Sequence, residues 1–314
     1  MYPMQRTDVH QHLLGEPLIA ELARRRRPPA LIRRRGGWTF RLAGEPDSVL
    51  ARAAIDPQAR QAALNRDGVD RALVALSTAL GIETLPAEEA IPLIDAYQRS
   101  VDALPARFGA WGAVQLDEPD PHAVDVLIGR GAVGLSLPAT ALATPAGLER
   151  VGPLLERLEQ HDAPLFVHPG PVAADARGAG EALPAWWPAL TDYVAQMHAA
   201  WFAFLHVGRR AHPRLRVLFA MLAGGAPLQL ERLAARGGPA DAAVDPLIFY
   251  DTSSYGPRAL RAAIAVVGAG QLVHGSDRPV VEPLVPSADT ALGHGLLRVN
   301  PHRLLAGKRE RAAA

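Results

Sequence analysis

The sequence predicts an α/β fold: a (β/α)8 TIM barrel with a small β-hairpin inserted after the first strand. Three observations predict it. Short apolar runs alternate with longer segments of helical period, the pattern of repeated βα units on a parallel sheet. Eight such runs occur within 314 residues, the number a barrel requires. Residues of metal-ligand type close the first, fifth and eighth runs, on the rim where barrels build their sites. A doubly wound sheet would use fewer strands, and no G-x-G-x-x-G follows the first one. The glycine clusters at 178–180, 224–225 and 268–270 match no phosphate-binding loop either.

The first strand spans 4–12 and contains Thr7-Asp8-Val9-His10-Gln11-His12. On a strand, residues i and i+2 share a face, so both imidazoles can reach one ion. A short helix at 16–27 leads to an insertion at 28–46, in which 30–34 and 38–42 alternate at period two around Arg35-Gly36-Gly37. Leaving the C-terminal end of the first strand, this hairpin is expected to lie over the barrel mouth. It reads either as a decorative or dimer-forming insertion or as a lid carrying arginines. The remaining strands fall at 69–76, 108–116, 132–137, 164–168, 215–221, 247–252 and 271–277, with helical stretches such as 145–161 and 186–212 between them. No repeat, low-complexity tract or linker marks a second unit, so 1–314 is expected to form one domain.

Composition narrows the chemistry. There is no cysteine, which excludes disulfides, thiolate metal sites and cysteine nucleophiles. Lys308 is the single lysine, near the C-terminus, which argues against Schiff-base chemistry. Any metal must therefore be held by His, Asp or Glu. A net charge of +1 does not point to nucleic acid or a membrane surface, and no apolar run is long enough to span a bilayer. The start, Met1-Tyr2-Pro3-Met4-Gln5-Arg6, lacks the basic segment and apolar core of a signal peptide. A cytoplasmic protein is expected.

His168 closes the fifth strand in Phe166-Val167-His168-Pro169, and Asp277 closes the eighth in Gly275-Ser276-Asp277-Arg278-Pro279. Each alone has an ordinary reading, as a structural histidine or a helix-capping aspartate. Together, His10, His12, His168 and Asp277 make an N3O site for one divalent ion, zinc by default and manganese or iron as alternatives. Such a site leaves room for a water whose proton Asp277 could take.

These motifs resemble the amidohydrolase superfamily, and more narrowly its amidohydrolase-related branch, which includes aminocarboxymuconate-semialdehyde decarboxylase and the resorcylate decarboxylases. The resemblance runs from residue 7 to 305 and takes in PLFVHPGP at 164–171, HPRLRVLFAMLAGGAPLQLERL at 212–233 and VNPHRLL at 299–305. It implies a barrel, one metal ion on the four residues named, and often a homodimer. It also implies substrate-binding roles for Arg41, in an aromatic-Arg context within the hairpin, and for Arg232, which in the family can act across a dimer interface. Two guanidinium groups would suit a small carboxylate-bearing substrate.

One position departs from the family. Where strand six normally ends in the acid/base histidine of F-A-H-x-G-G, this chain reads Phe219-Ala220-Met221-Leu222-Ala223-Gly224-Gly225. A thioether moves no protons near neutral pH and is a poor zinc ligand, so Met221 can only line the substrate pocket. Strand four supplies no bridging ligand, which argues against a two-metal centre. Candidate replacements for the histidine are His198, His206, Tyr250, Tyr255 and His274, of which Tyr255 is best placed, on a rim loop. Trp186, Trp187 and Trp201 could line a pocket for a flat molecule or belong to core and interface. The leading expectation is a metal-dependent hydrolase with Asp277 as base. The alternatives are a non-oxidative decarboxylase of a small acid and a metal-binding protein without catalysis.

Overall fold

The computed structural model describes residues 4–173, 184–238 and 245–306; Lys308 and the 178–180 glycines lie outside the described residues. β1 (Thr7–Gln11) passes through helix Glu16–Arg24 into β2 (Ala30–Arg34), β3 (Gly37–Arg41) and β4 (Ser48–Val49). β2 and β3 are antiparallel with Arg34 opposite Gly37, leaving Arg35-Gly36 as the two-residue turn of the predicted hairpin. A third strand, β4, pairs along the outer edge of β3.

The barrel strands then follow as β5 (Arg71–Val74), β6 (Phe108–Ala110), β7 (Leu135–Pro138), β8 (Leu165–His168), β9 (Val217–Phe219), β10 (Ile248–Asp251) and β11 (Leu272–Val273). One parallel sheet runs β1-β5-β6 and another runs β7 to β11 in chain order. Parallel bridges from Gly112 to Leu135 and from Gln11 to Arg278 join the two sheets and close the predicted barrel of eight strands. β8 and β9 are buried along their whole length, as expected of strands covered on both faces.

Helices on the outside follow from local sequence. Helix Pro145–Gln160 is started by Thr144, whose side chain accepts from Gly147 N, and by proline in its first turn. Its buried face is Leu148, Val151, Leu154, Leu155 and Leu158, the spacing of one helical stripe. The stretch expected as one helix over 186–212 is divided into Trp187–Leu190, Asp192–Ala203, a π-turn at Phe204–Gly208 and Arg209–Ala211. Trp201 faces the core and donates its indole N–H to Tyr250 Oη at 3.0 Å, which settles both as packing residues. Trp186 and Trp187 stand at the surface beside one another. The hairpin is fastened by a second cluster in which Leu31 is buried with Leu18, Leu22, Leu93 and Tyr97, and Trp38, Phe40 and Leu42 pack against them. No helix among the described residues is long and apolar enough to cross a membrane.

The predicted strands run longer than the observed ones, most of all the third and the eighth. The third stops at Ala110 and the eighth at Val273, because beyond these points the chain bends along the rim. Asp277 therefore sits in a rim loop with φ of 55°, although its N–H still donates to His10 O at 2.9 Å and keeps it beside β1.

Candidate metal centre

His10 and His12 leave β1 on one face, and His168 closes β8. With Asp277 they form a cluster whose ligand atoms all lie within 4.8 Å of one another. The three imidazoles stand nearly edge to face, with ring centroids 4.9–5.0 Å apart. Beneath them lies an apolar floor: Phe166 is 4.9 Å from the His10 ring and packs in turn on Trp111.

Each imidazole has its outer nitrogen engaged by an oxygen. His10 Nδ1–H donates to Asp251 Oδ2 at 2.7 Å, and His12 Nδ1–H donates to Ala75 O at 3.0 Å. His168 Nδ1 lies 3.0 Å from both Thr78 Oγ1 and Pro169 O. These partners put the protons on the outer nitrogens and aim the Nε2 lone pairs inward. His10 Nε2 and His12 Nε2 are only 3.1 Å apart, and Asp277 Oδ1 is 3.2 Å from His12 Nε2. Asp277 Oδ1 is buried and has no hydrogen-bond donor. Four inward-facing donor atoms call for a positive charge between them, which a proton on His10 supplies when no ion is bound and a cation supplies in its place. The donor set therefore fits a divalent ion, with three nitrogens and one oxygen.

The charges agree with this geometry. Burial works against a charged His10, yet the carboxylates of Asp251 and Asp277 raise its pKa to about 9. Asp251 is held below the usual carboxylate range: its burial opposes this, but His10 and the Ser253 donors outweigh it. His168 is pushed well below its ordinary value by burial and by the two neighbouring imidazoles. The pocket attracts one concentrated positive charge.

Asp251, which closes β10, is the residue the sequence reading missed. Besides holding His10, its Oδ1 accepts from Met221 N and Ser253 N, both at 2.9 Å, and from Ser253 Oγ at 2.5 Å. The signal was present, since Asp251 ends its strand on the same rim as His168. Thr78, which supports His168, gave no signal because it comes from a loop far away in sequence. Gly275 lies against this pair: a Cβ there would stand 2.9 Å from both Asp251 Cβ and His10 Cβ.

Met221 begins a left-handed turn after β9. Met221, Leu222 and Ala223 have φ of 45°, 52° and 53°, followed by Gly224 and Gly225 at 64° and 82°. Each non-glycine residue there costs about 1–2 kcal/mol. The turn is held by Asp251 on Met221 N and by His198 Nε2–H, which donates to Gly224 O at 2.9 Å. His198 is thus committed to the backbone. His206 is exposed, and His274 is buried outside the cluster with neither ring nitrogen bonded. Tyr255 is half-buried in the loop after β10, where burial and the charge of Asp251 raise its pKa.

The two arginines are not brought into the cluster. Arg41 is half-exposed on β3, with its Nε 3.7 Å from Asp47 Oδ1 in the same insertion. Arg232 is exposed on helix Leu230–Ala235.

Comparison with known proteins gives three similar solved structures. IDCase of Metarhizium anisopliae in apo form superposes with a TM-score of 0.78 at 16% identity, covering 97% of each chain. The 5-carboxyvanillate decarboxylase of Sphingomonas paucimobilis gives 0.69 at 19%, covering 96% of this chain and 99% of that one. The 5-carboxyvanillate decarboxylase of Novosphingobium aromaticivorans, solved with manganese and 3-methoxy-4-hydroxy-5-nitrobenzoic acid, gives 0.71 at 15%, covering 96% and 97%. No curated protein matches by sequence. These neighbours correct the leading expectation of a hydrolase, because the architectures shared along almost the whole chain are those of decarboxylases. The sequence matches the amidohydrolase family over residues 7–301, from the strand of His10 and His12 to beyond Asp277, and the chain belongs to that family.

Proposed function

We propose that this protein is a metal-dependent, non-oxidative decarboxylase of a small carboxylic acid. The observation that carries the reading is the mononuclear centre, in which three Nε2 atoms and Asp277 Oδ1 converge on one point at the barrel mouth. His10, His12, His168 and Asp277 would hold the ion, zinc or manganese. When bound, it would supply a positive charge that positions an acidic substrate and offsets the negative charge that develops as CO2 leaves. The likeness in architecture to 5-carboxyvanillate decarboxylases supports carboxy-lyase chemistry.

The protein's own residues do the rest. Asp251 and Ala75 O orient the β1 histidines, and Thr78 orients His168. Phe166 and Trp111 keep water from beneath the site. Met221 and Tyr255 line the substrate side, Met221 as an apolar wall where the family has a proton-transfer group. Asp277, an acceptor only, completes the donor set that would hold the ion. Arg41 reaches a carboxylate at the mouth by exchanging Asp47 for it. Arg232, exposed on a single chain, meets the substrate bound to a second copy in a homodimer.

The test is CO2 release from hydroxybenzoic and unsaturated acids by protein loaded with Zn2+ or Mn2+, beside His10→Ala. Decarboxylation of at least one acid by wild type, with loss of both activity and metal in the variant, supports the reading. Met221 favours a second reading, binding without turnover; one metal per chain and no CO2 from any acid would establish it.

A further inference from the structure

Asp277 reaches the centre from a loop rather than from a ladder of strand bonds. β11 is two residues long, and beyond it a single bridge pairs Gln11 with Arg278. Asp277 itself stands in the left-handed region, which side chains disfavour. A buried polar chain runs behind this join. Asp8 Oδ1 accepts from His10 N at 3.2 Å and from Ser276 N at 3.0 Å, so one oxygen joins a ligand histidine to the residue before Asp277. Asp8 Oδ2 accepts from Gln11 Nε2 at 2.5 Å, and Gln11 Oε1 accepts from Arg60 Nη2. The same Nη2 lies 3.4 Å from the carbonyl oxygen of Arg278, the residue after Asp277, which also accepts from His12 N at 2.7 Å. Asp277 is thus held through the residue on either side of it, by the strand that carries His10 and His12. Arg60 comes from helix Pro57–Asp67, and Asp67, about two turns on and so on the same face, binds Arg278 Nη2 at 2.8 Å. Asp8, Gln11 and Arg60 are all buried, and Arg60 Nη1 has no hydrogen-bond partner among the described residues. Burying an unmet guanidinium donor costs stability, and an apolar side chain would fill the same space without that cost. Packing alone therefore does not explain an arginine here.

We infer that Asp8 and Arg60 are positioning residues for the metal centre: joined through Gln11, they set where Asp277 stands relative to His10 and His12. The inference rests on the metal-centre part of the reading above and not on decarboxylation. Neither residue is a ligand. Asp8 fixes the backbone of the loop to β1 on one side of Asp277, and Arg60 fixes it to the outer helix on the other. Charges within the chain balance, Asp8 and Asp67 against Arg60 and Arg278, so the join is rigid without adding net charge behind the centre. A ligand set tolerates shifts of only about 0.2 Å, so a loop released on either side of Asp277 binds an ion less tightly even when the protein stays folded.

The experiment measures Zn2+ and Mn2+ affinity by competition with a chromophoric chelator, beside the melting temperature of the metal-free protein. It compares wild type with Asp8→Asn, Arg60→Met and Arg6→Met. The last is the comparator, because Arg6 ties the start of β1 to Asp70, Nη2 to Oδ1 at 2.9 Å, and takes no part in the chain behind Asp277. Asp8→Asn and Arg60→Met are each expected to weaken metal binding by about 10–100-fold. Arg6→Met should leave it within about threefold, even where its melting temperature falls, since a distant site acts independently. A role in stability alone would move melting temperature in all three variants and leave the affinity of the folded protein where it was. Affinities of Asp8→Asn and Arg60→Met both within about threefold of wild type overturn the inference and leave the metal centre intact. If Arg60→Met does not fold, Asp8→Asn, which keeps the shape of the side chain, decides by the same criterion. Wild type that binds neither ion overturns the metal centre, and this inference with it.

Discussion

At the scale of single residues, Asp251 is the most connected atom group near the site, joining His10, Met221 N and Ser253 through its two oxygens. Replacing a carboxylate that orients a metal-bound imidazole costs about 10–100-fold in metal affinity, so Asp251→Asn should show that loss in competition with a chromophoric chelator. Gly275→Ala forces a methyl group against Asp251 and His10. It should lower stability by about 1–3 kcal/mol in denaturant unfolding and weaken metal binding alongside. Glu83 has a different effect. It is wholly buried with neither carboxylate oxygen bonded, and burial raises its pKa from 4.5 to about 8. The folded state therefore keeps this proton to higher pH than the unfolded state. Its contribution to stability is greatest below pH 4.5, falls as pH rises toward 8 and is level above that. The slope between them is at most about 1.4 kcal/mol per pH unit. Glu83→Gln should remove this decline, which melting temperatures across that range would show.

Among the elements, the insertion and the turn after β9 bear most on function. The hairpin is tied down by Leu31, which is 2% exposed within the cluster formed with helices Glu16–Arg24 and Ala87–Asp102. Leu31→Ala should cost about 2–5 kcal/mol, with metal content unchanged, because no ligand lies in that cluster. A fall in metal content at full folding would show that the insertion shapes the centre itself. The left-handed turn at Met221 stores strain beside the site, and two partners, Asp251 and His198, hold it there. Its sequence signal was the paired glycines at 224–225. Its conformation at Met221, Leu222 and Ala223 had no signal, since nothing local favours left-handed non-glycine residues.

For the whole molecule, one ion would tie β1, β8 and the loop after β11 together across the seam that closes the barrel. Binding to the folded state alone adds about 2.7 kcal/mol when free metal is 100 times the dissociation constant. Melting temperature should therefore rise by several degrees with Zn2+ or Mn2+, fall back with chelator, and not respond in His10→Ala. A variant that responds like wild type would place the ion elsewhere. Assembly is tested separately. If Arg232 works across a dimer, wild type should run at twice the chain mass in light scattering, and Arg232→Ala should raise KM with the mass unchanged.

The barrel, the hairpin and the convergence of His10, His12, His168 and Asp277 were legible because each rests on local spacing. His10 and His12 share a face by the two-residue period of a strand, and His168 and Asp277 stand where apolar runs stop before proline. The family match over 7–301 agrees with those motifs. What the local pattern could not contain are pairings between residues far apart in the chain: Asp251 with His10, Thr78 with His168, Arg60 with Gln11. Nor could it show that Arg41 lies nearest Asp47 and that Arg232 points to solvent. Periodicity records which face of an element is buried. Which partner meets it is decided only when the barrel closes, because side-chain hydrogen bonds depend on distances that the chain sets in three dimensions.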